Sequence, residues 1–584
     1  MLGVLLCLFL MAGYYKIILC SLKFCNTDFL GVLKDDLQKI LFVSAISIIF
    51  IFAMVSQQQT IYIWDSLETW EPMTFCEEIT FDNPLQALKN LRSSINHADY
   101  NNFLPMLMVL PAHIFGKSFL CYTLYVWIMF GLPAIFLISA WLATYTKIFS
   151  CSTFMIIFML SPIIFVPIFI GYANISILLP VSIIFMMLMN LNKSELQRKP
   201  LILIGVLSFF AVFQARTAAY MIVACFIGYT FFIIISSNNL REDIFMLCKK
   251  YLYIGISALL IMSPLFFTFI KHAVTYDIGS AYSGYALGQD FFGRIFYHIS
   301  GLGEIIYIIF AVGIIFGLLN KKFRALTAWI FLWTAVAVIL FCKVQVMGWQ
   351  HYYIMILPFM IMIAMIIAKI FSYQKFLGIA IIFILIFNFT QTFLLPNKFS
   401  ELFNSGYQIP IRNDIPDMKN FVSDLNNLPS DKKIFLLASS GEYNSTSLKK
   451  IYVPEKHDAL PNLLNTVDVD LRDGFSTEFF DADFIVIFDP IQTHLLPESQ
   501  TVVVKPAEII LNPSPIAEHF KLIREYKFTP GVGNYYEVTA KVFEKISAFE
   551  KSDIDFVENI FTELYPDKND LFKNRFEKYK QDNF

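Results

Sequence analysis

Charged residues are scarce in this chain of 584 residues. Only 15% are Asp, Glu, Lys or Arg, whereas 57% are hydrophobic and 17% are aromatic. Soluble domains are closer to half apolar. The 44 basic side chains are balanced by 46 acidic ones, and this balance excludes a strongly basic nucleic-acid-binding protein. The composition therefore predicts a polytopic membrane protein with some soluble sequence attached.

Paired cysteines and the common catalytic motifs are absent as well. Almost all of the nine cysteines lie in apolar runs, none follows Leu395, and no two have CxxC spacing. This pattern excludes a disulfide framework and a CxxC metal pair. No P-loop, GxSxG or HExxH motif occurs. The acidic DxD pattern occurs only in the tail, at 468–470, 481–483 and 553–555. Chance produces such pairs often, so none is assigned to a metal ion.

Long apolar runs dominate residues 1–395. A transmembrane helix needs about 20 mostly apolar residues, and the pattern predicts about twelve such helices. Residues 2–22 lack the basic start and cleavage site of a signal peptide, so they count as the first helix. The apolar run 103–116 is too short and is predicted as an interfacial or re-entrant helix. The spans are expected at 2–22, 40–56, 119–142, 153–170, 176–191, 201–215, 218–236, 252–271, 304–320, 326–343, 353–369 and 376–395.

Lysine and arginine are concentrated in four links between these spans. The links are 192–199, 240–250, 321–324 and 369–375, and all four fall on one side when the spans are counted. Since basic residues favour the cytoplasmic side, that side is predicted to be cytoplasmic. Loop 57–117, segment 272–303, turn 344–352 and the tail are then extracytoplasmic.

The tail from residue 396 has the composition of a soluble domain. Apolar stretches at 433–438, 484–488 and 501–505 are predicted as strands. Residues 520–543 are predicted as a hairpin that turns at 530–533, and 544–584 have helical spacing. The expected architecture is therefore a mainly α, polytopic domain over 1–395 and a small extracytoplasmic α/β or α+β domain over 396–584.

The first candidate site lies in the polar loop 61–105. Asp65 and Glu68 begin it, close to the end of the second span and between Trp64 and Trp70. Carboxylates this close to a bilayer are costly and often functional, and spacing i, i+3 puts both on one face of a helix. The alternative is the start of a solvated acidic loop.

A second candidate lies at the end of this loop. His97 and Asp99 come just before the apolar run at Phe103, where they can reach a phosphate or a sugar hydroxyl. The alternative is a helix N-cap formed by Asp99, Asn101 or Asn102.

Two more candidates lie at the outer ends of spans. Gln350 and His351 occupy a short turn, where they can bind a sugar or a lipid phosphate; an aromatic interfacial belt is the alternative. Arg216 separates two apolar runs and suits a phosphate or diphosphate, although it can equally extend its charge to the interface. Lys343 ends the span before the Gln350 turn.

With this loop and topology, the chain resembles the GT-C superfamily of integral membrane glycosyltransferases. It is most similar to the family of protein O-mannosyltransferases and the bacterial aminoarabinose transferase of lipid A. The resemblance covers about residues 40–395. It is carried by the span 40–56, the start Trp64-Asp65-Ser66-Leu67-Glu68 and the end Asp99…Pro105…Phe115-Gly116. The extra N-terminal helix departs from the family plan, and so does the absence of an Asp-Glu dipeptide.

The resemblance implies an enzyme that transfers a sugar, with inversion, from a polyprenyl-phosphate donor on the outer face. The acceptor would be an envelope glycan, lipid or protein. Asp65 would be the base, and Arg216, with His351 or Lys343, would hold the phosphate. Asp99 would orient the acceptor or hold a divalent metal ion, the one cofactor left open. The remaining substrate-binding candidates are Glu68, His97 and Gln350.

Two other classes of protein compete with this interpretation. A transporter or flippase is equally polytopic, but transporters usually have internal repeats and polar residues in the middle of their spans. No repeat is evident, and the charges lie at the outer ends of the spans. A membrane scaffold that uses the tail as a binding module is the third class. Asp65→Asn would cripple an enzyme and matter little to a scaffold.

Overall fold

The computed structural model describes residues 2–98, 100–275, 278–394, 402–403, 406–464, 466–529 and 537–584. The chain forms two compact units. Unit 1 contains Met1–Gln57, Glu68–Tyr276 and Phe291–Ile409, and unit 2 contains Gln58–Leu67, Asp277–Asp290 and Pro410–Phe584.

Helices account for most of the described residues. Up to residue 394 they are α1 Leu2–Leu22, α2 Phe29–Val55, α3 Leu67–Asp82, α4 Pro84–His97, α5 Phe103–Phe115, α6 Phe119–Val126, α7 Leu132–Thr146, α8 Cys151–Met159, α9 Val166–Ile170, α10 Leu178–Asn190, α11 Arg198–Gln214, α12 Ala218–Ser236, α13 Leu240–Thr275, α14 Ile278–Ala281, α15 Phe291–Leu302, α16 Glu304–Leu319, α17 Arg324–Cys342, α18 Tyr353–Tyr373 and α19 Lys375–Phe393.

Eight helices in the described part of the chain are long and apolar enough to cross a membrane. The count rises to ten if each of two sharply bent helix pairs forms one span. The expected spans at 176–191 and 201–215 correspond to helices of 17 residues, Asn174–Asn190 and Arg198–Gln214. The total of about twelve therefore stays a prediction. α5 has 13 residues and is about 20 Å long, which agrees with the short helix expected there.

α12 and α17 are antiparallel neighbours in unit 1. Tyr220 near the start of α12 lies 5.7 Å from Phe341 near the end of α17, measured between ring centroids. At the other end of the pair, the rings of Phe232 and Trp329 are 5.4 Å apart. Gly228 permits this close packing, because a Cβ atom there would lie 2.5 Å from the Trp329 ring. The pair gives unit 1 two distinguishable ends.

The four basic links lie at the Trp329 end of this pair. The Lys250 ammonium group donates a hydrogen bond to the carbonyl of Asn192, which joins the first two links. Lys369 lies 5.7 Å from the centre of the Phe323 ring, which joins the last two. These contacts group the basic links at one end of unit 1.

Unit 2 is built around a four-stranded sheet. The strands are β1 Ile434–Leu437, β2 Phe484–Asp489, β3 Phe520–Phe528 and β4 Val538–Lys545, in the order β1-β2-β4-β3. β1 and β2 are parallel, and the other pairs are antiparallel. The predictions of strands at 433–438 and 484–488 and of a hairpin at 520–543 are confirmed. The expected turn at 530–533 lies outside the described residues.

Helices cover both faces of this sheet. They are α20 Ile415–Asn426, α21 Ser445–Lys449, α22 Asp470–Asp473, α23 Glu478–Asp481, α24 Thr501–Leu511, α25 Lys551–Leu564 and α26 Lys573–Asn583. Met418 and Phe421 of α20 pack on one face. Val503 of α24 and Phe561 of α25 pack on the other. The helical spacing expected in 544–584 is confirmed by α25.

The strand predicted at 501–505 is wrong, because these residues begin helix α24. Val502, Val503, Pro506, Ala507 and Ile510 are buried, and this spacing is that of a helix. The Asp470 carboxylate accepts hydrogen bonds from the first two backbone N–H groups, at 2.9 Å each. A cap from a distant residue therefore outweighs the strand preference of three consecutive valines.

Unit 2 contains two segments from between the predicted spans. The Gln59 N–H donates to the Pro410 carbonyl at 3.0 Å, and the Arg412 N–H donates to the Gln59 carbonyl at 2.7 Å. Ile61 is buried in the same core as Phe421. Residues that fold into one compact unit lie on the same side of any bilayer. The predicted boundary at 395/396 falls outside the described residues.

Candidate functional site

Asp65 lies in a short 3-10 turn, Trp64–Ser66, and is half-buried. The Ile63 N–H donates to the Ser66 hydroxyl at 3.0 Å, which closes the turn. Trp64 has φ of 39°, a left-handed conformation that is rare for a bulky residue. Its indole ring lies 4.8 Å from the His494 ring. Such strain persists only where the surroundings enforce it, and it is common at functional sites.

Glu68 is separated from Asp65 by a change of secondary structure. The turn that holds Asp65 ends at Ser66, and α3 begins at Leu67. Asp65 is grouped with unit 2 and Glu68 with unit 1. Spacing i, i+3 predicts that two side chains share one face when both belong to a single α-helix. Asp65 and Glu68 do not belong to the same α-helix.

Arg216, Lys343 and His351 lie at the end of unit 1 opposite the basic links. Arg216 comes just before α12, and Tyr220 in the first turn of that helix contacts Phe341. The Phe341 ring lies 4.6 Å from the His351 ring, and Lys343 directly follows α17. The structure therefore brings Arg216 to the same end of unit 1 as Lys343 and His351, which come much later in the sequence.

Gln350 shares the 3-10 helix Trp349–Tyr352 with His351, and both are half-buried. A further cation, Arg294 of α15, donates from Nε to the Cys342 carbonyl at 2.6 Å. A cation at the carboxyl end of a helix is favourable because the helix dipole is negative there. The place of Arg294 beside Lys343 becomes evident only in the fold, where its guanidinium group also lies 3.4 Å from the Lys343 carbonyl oxygen.

The second candidate segment, which begins at the last residue of α4 and contains His97 and Asp99, contacts Arg216 through Tyr100. The Arg216 guanidinium group lies 5.4 Å from the centre of the Tyr100 ring. His97 is the last residue of α4 and is exposed. Asp99 lies outside the described residues. The N-cap residue of α5 is Asn102, whose side chain makes no capping hydrogen bond. The Asn101 side chain, one residue earlier, accepts a hydrogen bond from the Phe103 N–H at 2.9 Å.

Other acidic residues of the loop have a structural role. Glu77 contacts Nδ1 of His113 at 2.7 Å and the Lys117 ammonium group at 3.2 Å. Lys117 also pairs with Glu78 at 3.0 Å. This cluster joins α3 to the carboxyl end of α5, so the charge of these residues is explained by packing within the loop.

Unit 2 contains a polar cluster that the sequence does not predict. It follows the carboxyl ends of β1 and β2, the usual location of ligand sites in parallel sheets. His494 donates from Nδ1 to the Ser439 carbonyl at 2.6 Å. The buried Gln500 amide oxygen accepts the N–H groups of His494 and Leu495 at 2.9 and 2.8 Å. Burial lowers the pKa of His494, so its ring is neutral at pH 7.

Charged side chains in α22 and just before it complete this cluster. Arg472 forms two hydrogen bonds of 2.7 Å with Asp473 and donates to the Tyr285 hydroxyl at 3.0 Å. Asp468 lies 3.6 Å from the same guanidinium group. Burial raises the pKa of Asp468 to about 6, and Arg472 opposes that rise. Asp470, the other acid of this DxD pair, caps α24 and is buried.

Two pockets in the described part of the chain are lined by residues other than the predicted site residues. An open pocket of about 620 Å³ in unit 2 is lined by Lys433, Phe480, Lys545 and Tyr579, among others. It lies beyond the start of β1 and the end of β4, away from His494. A small void between apolar side chains of α7, α8, α10 and α18 is the second.

No cofactor can be assigned from the geometry. Within the described ranges, no three His, Cys, Asp or Glu side chains come together as a metal site, and Asp99 is not among those residues. Comparisons of this chain with protein-family models and with curated proteins find no match.

Proposed function

We propose that this chain is an integral membrane glycosyltransferase that uses a polyprenyl-phosphate sugar as donor. The acceptor is an envelope glycan, lipid or protein, and transfer occurs on the outer face with inversion. Loop 57–117 and unit 2 are extracytoplasmic in this proposal, and the Trp329 end of unit 1 is cytoplasmic.

The observation that carries the proposal is the polar end of unit 1. Three cations and a histidine lie there: Arg216, Arg294, Lys343 and His351. They are at the end of a helix pair that is about 30 Å long. This length matches the hydrocarbon core of a bilayer. Cations at that level suit the phosphate of a lipid-linked donor, whose prenyl chain lies in the membrane. The basic links lie at the opposite end, as the charge rule requires.

The proposed reaction needs two groups of residues, a base for the acceptor hydroxyl and a cationic site for the phosphate. Asp65 takes the proton of the acceptor hydroxyl, and the hydroxyl oxygen attacks the anomeric carbon of the sugar. The bond from that carbon to the phosphate oxygen breaks, and polyprenyl phosphate leaves with the bonding electrons. Arg216, with Lys343 or His351, stabilises the charge that develops on the phosphate. Glu68, His97 and Gln350 are the further residues expected to contact substrates, and Asp99 is expected to orient the acceptor.

Asp65→Asn tests the base directly. The full chain in lipid nanodiscs is supplied with polyprenyl-phosphate hexoses and pentoses and with an envelope extract, and sugar transfer is measured by mass spectrometry. Removing a general base typically costs 10²–10⁴-fold in rate, so Asp65→Asn is expected to lower transfer at least ~100-fold. Asp82→Asn, at the exposed end of α3, is the matched control and is expected to keep the wild-type rate.

Two results would contradict the proposal at different levels. A wild-type rate for Asp65→Asn removes Asp65 as base and leaves transfer itself standing. Wild-type protein that consumes none of these donors contradicts glycosyl transfer. Movement of an intact lipid-linked sugar across proteoliposomes would instead support the flippase alternative.

A further inference from the structure

The polar cluster at the carboxyl ends of β1 and β2 has no role in the reaction described above. Its exposed part consists of Trp64, Tyr285, Asp468, Arg472 and His494, and we call these five residues the β1–β2 cluster. They come from three separate stretches of the chain, all within unit 2. We propose that the β1–β2 cluster binds the acceptor, and that the acceptor is recognised there as a carbohydrate without acidic groups.

The aromatic rings of the cluster are arranged as a partly open surface. The His494 ring lies 4.8 Å from that of Trp64 and 5.8 Å from that of Tyr285. All three rings are half-buried, whereas aromatic residues of the unit 2 cores such as Phe488 are fully buried. Partly exposed aromatic side chains beside polar groups suit a ligand with both apolar C–H faces and hydroxyl groups.

The charges of the cluster argue against an anionic ligand. Arg472 is already paired with Asp473 through two hydrogen bonds of 2.7 Å, and Asp468 lies 3.6 Å away. The neutral His494 adds no positive charge. One cation therefore faces two carboxyl groups, and among the described residues of the cluster a phosphate or an acidic sugar would meet no unpaired positive charge. A ligand with hydroxyl groups can donate to the Asp468 carboxyl group and accept from Arg472.

The exposure of these side chains leaves room for such hydrogen bonds. The Asp468 side chain is 26% exposed and that of Arg472 is 28% exposed. Behind them the cluster is held in place, because the fully buried Gln500 donates to the Ser439 hydroxyl at 3.0 Å and to the Asp468 carbonyl at 2.6 Å. A rigid support with half-exposed polar groups is what specific binding needs.

The position of Trp64 connects the cluster to the reaction. Trp64 and Asp65 are consecutive residues of one 3-10 turn. A sugar that packs against Trp64 therefore has its hydroxyl groups close to the proposed base. The role of this sugar as acceptor rests on the proposed function, whereas its binding to the cluster does not.

Binding without donor is the experiment that tests this inference. The full chain in detergent is applied to an array of neutral, amino and acidic oligosaccharides, and the affinity of each bound glycan is then measured by calorimetry. At least one neutral or amino oligosaccharide is expected to bind. Trp64→Gly removes the indole ring and tolerates the left-handed backbone, and Asp468→Asn keeps the side-chain shape. Each is expected to weaken binding at least ~10-fold.

A matched control exists in the second DxD pair. Asp481→Asn changes an exposed carboxylate of unit 2 that lies outside the cluster, and it is expected to leave the affinity within ~2-fold of the wild type. The inference is overturned if no glycan binds, if only acidic glycans bind, or if both cluster variants keep wild-type affinity while folded by circular dichroism.

The outcomes also separate this inference from the proposed function. Binding at the cluster by a protein that transfers no sugar would contradict the glycosyltransferase and leave the binding site in place. Sugar transfer with an unchanged KM for the acceptor in Trp64→Gly and Asp468→Asn would contradict the binding site alone.

Discussion

Asp468 occupies surroundings that disfavour its ionised form. Burial raises the pKa of its carboxyl group to about 6, whereas an aspartate in an unfolded chain titrates near pH 4. The folded protein therefore binds more protons than the unfolded one between these values, and the free energy of unfolding falls as the pH rises through this window. A costly carboxylate in a half-open cluster is typical of a functional site.

Asp468→Asn is expected to remove the free-energy cost of burying an ionised carboxylate at this position. The variant should raise the free energy of unfolding by about 1–3 kcal/mol at pH 7 and change it little at pH 4, where the wild-type carboxyl group is protonated in the folded protein. Thermal unfolding of the full chain at both pH values measures the difference. Asp481→Asn, an exposed position, should show no such pH dependence. A loss of stability at pH 7 would mean that the ion pair with Arg472 outweighs the cost of burial.

Single residues could be predicted from the sequence where a polar or charged side chain interrupts an apolar run or lies next to its end. Arg216 was predicted in this way, whereas Lys343 was predicted from the end of a span and His351 from the turn that follows it. The structure brings all three to one end of unit 1 through Tyr220 and Phe341. The β1–β2 cluster could not be predicted. Its hydrogen bond between Arg472 and Tyr285 joins residues 187 positions apart, so no local pattern contains both.

Elements were predicted well where the local pattern and the tertiary contacts agree. β1 and β2 are strands that are buried on both faces. Their continuous apolar sequences predict this burial. α24 begins with an equally strand-like sequence, TVVV. Its helical pattern becomes clear only when the window extends to Ile510, and its cap comes from Asp470, 31 residues earlier than Thr501.

The cap on α24 leads to a prediction at the scale of this helix. Asp470 is buried, accepts the N–H groups of Thr501 and Val502, and also accepts a hydrogen bond from the Tyr565 hydroxyl. Asp470→Ala leaves these donors without their acceptor, and it is expected to lower the free energy of unfolding by about 1–3 kcal/mol. Chemical denaturation followed by circular dichroism measures the change.

An exposed aspartate of the same sheet provides the control for this cap. Asp489 pairs with Lys541 at 2.6 Å and its side chain is 47% exposed, so Asp489→Ala should change the free energy of unfolding by less than about 1 kcal/mol. Equal losses for Asp470→Ala and Asp489→Ala would show that the buried cap adds nothing beyond an ordinary surface pair.

At the scale of the whole molecule, three stretches that are far apart in sequence form one unit. Gln58–Leu67 and Asp277–Asp290 join Pro410–Phe584 in unit 2, through contacts such as the pairing of Gln59 with Arg412. The sequence predicts that all three stretches lie on one side, from the count of spans and from the positions of lysine and arginine. A miscount by one span between them would have placed them on opposite sides, which one compact unit does not allow.

Single-cysteine labelling tests this arrangement and its orientation together. In a cysteine-free background, Gln289→Cys and Glu455→Cys sample two stretches of unit 2, and Ser194→Cys and Lys322→Cys sample two basic links; all four positions are exposed. A membrane-impermeant maleimide on intact cells is expected to label only the first two, because the basic links are cytoplasmic. All four should react after permeabilisation, which controls for buried sites.

The possible failures of this labelling have different meanings. If Gln289→Cys and Glu455→Cys behave differently in intact cells, the two stretches are on opposite sides and unit 2 cannot exist as one body. If both are labelled only after permeabilisation, unit 2 is intact and faces the cytoplasm. Asp65 belongs to unit 2, so the proposed base would then face nucleotide sugars rather than the outer leaflet. That result would contradict a lipid-linked donor on the outer face, although the β1–β2 cluster could still bind a sugar.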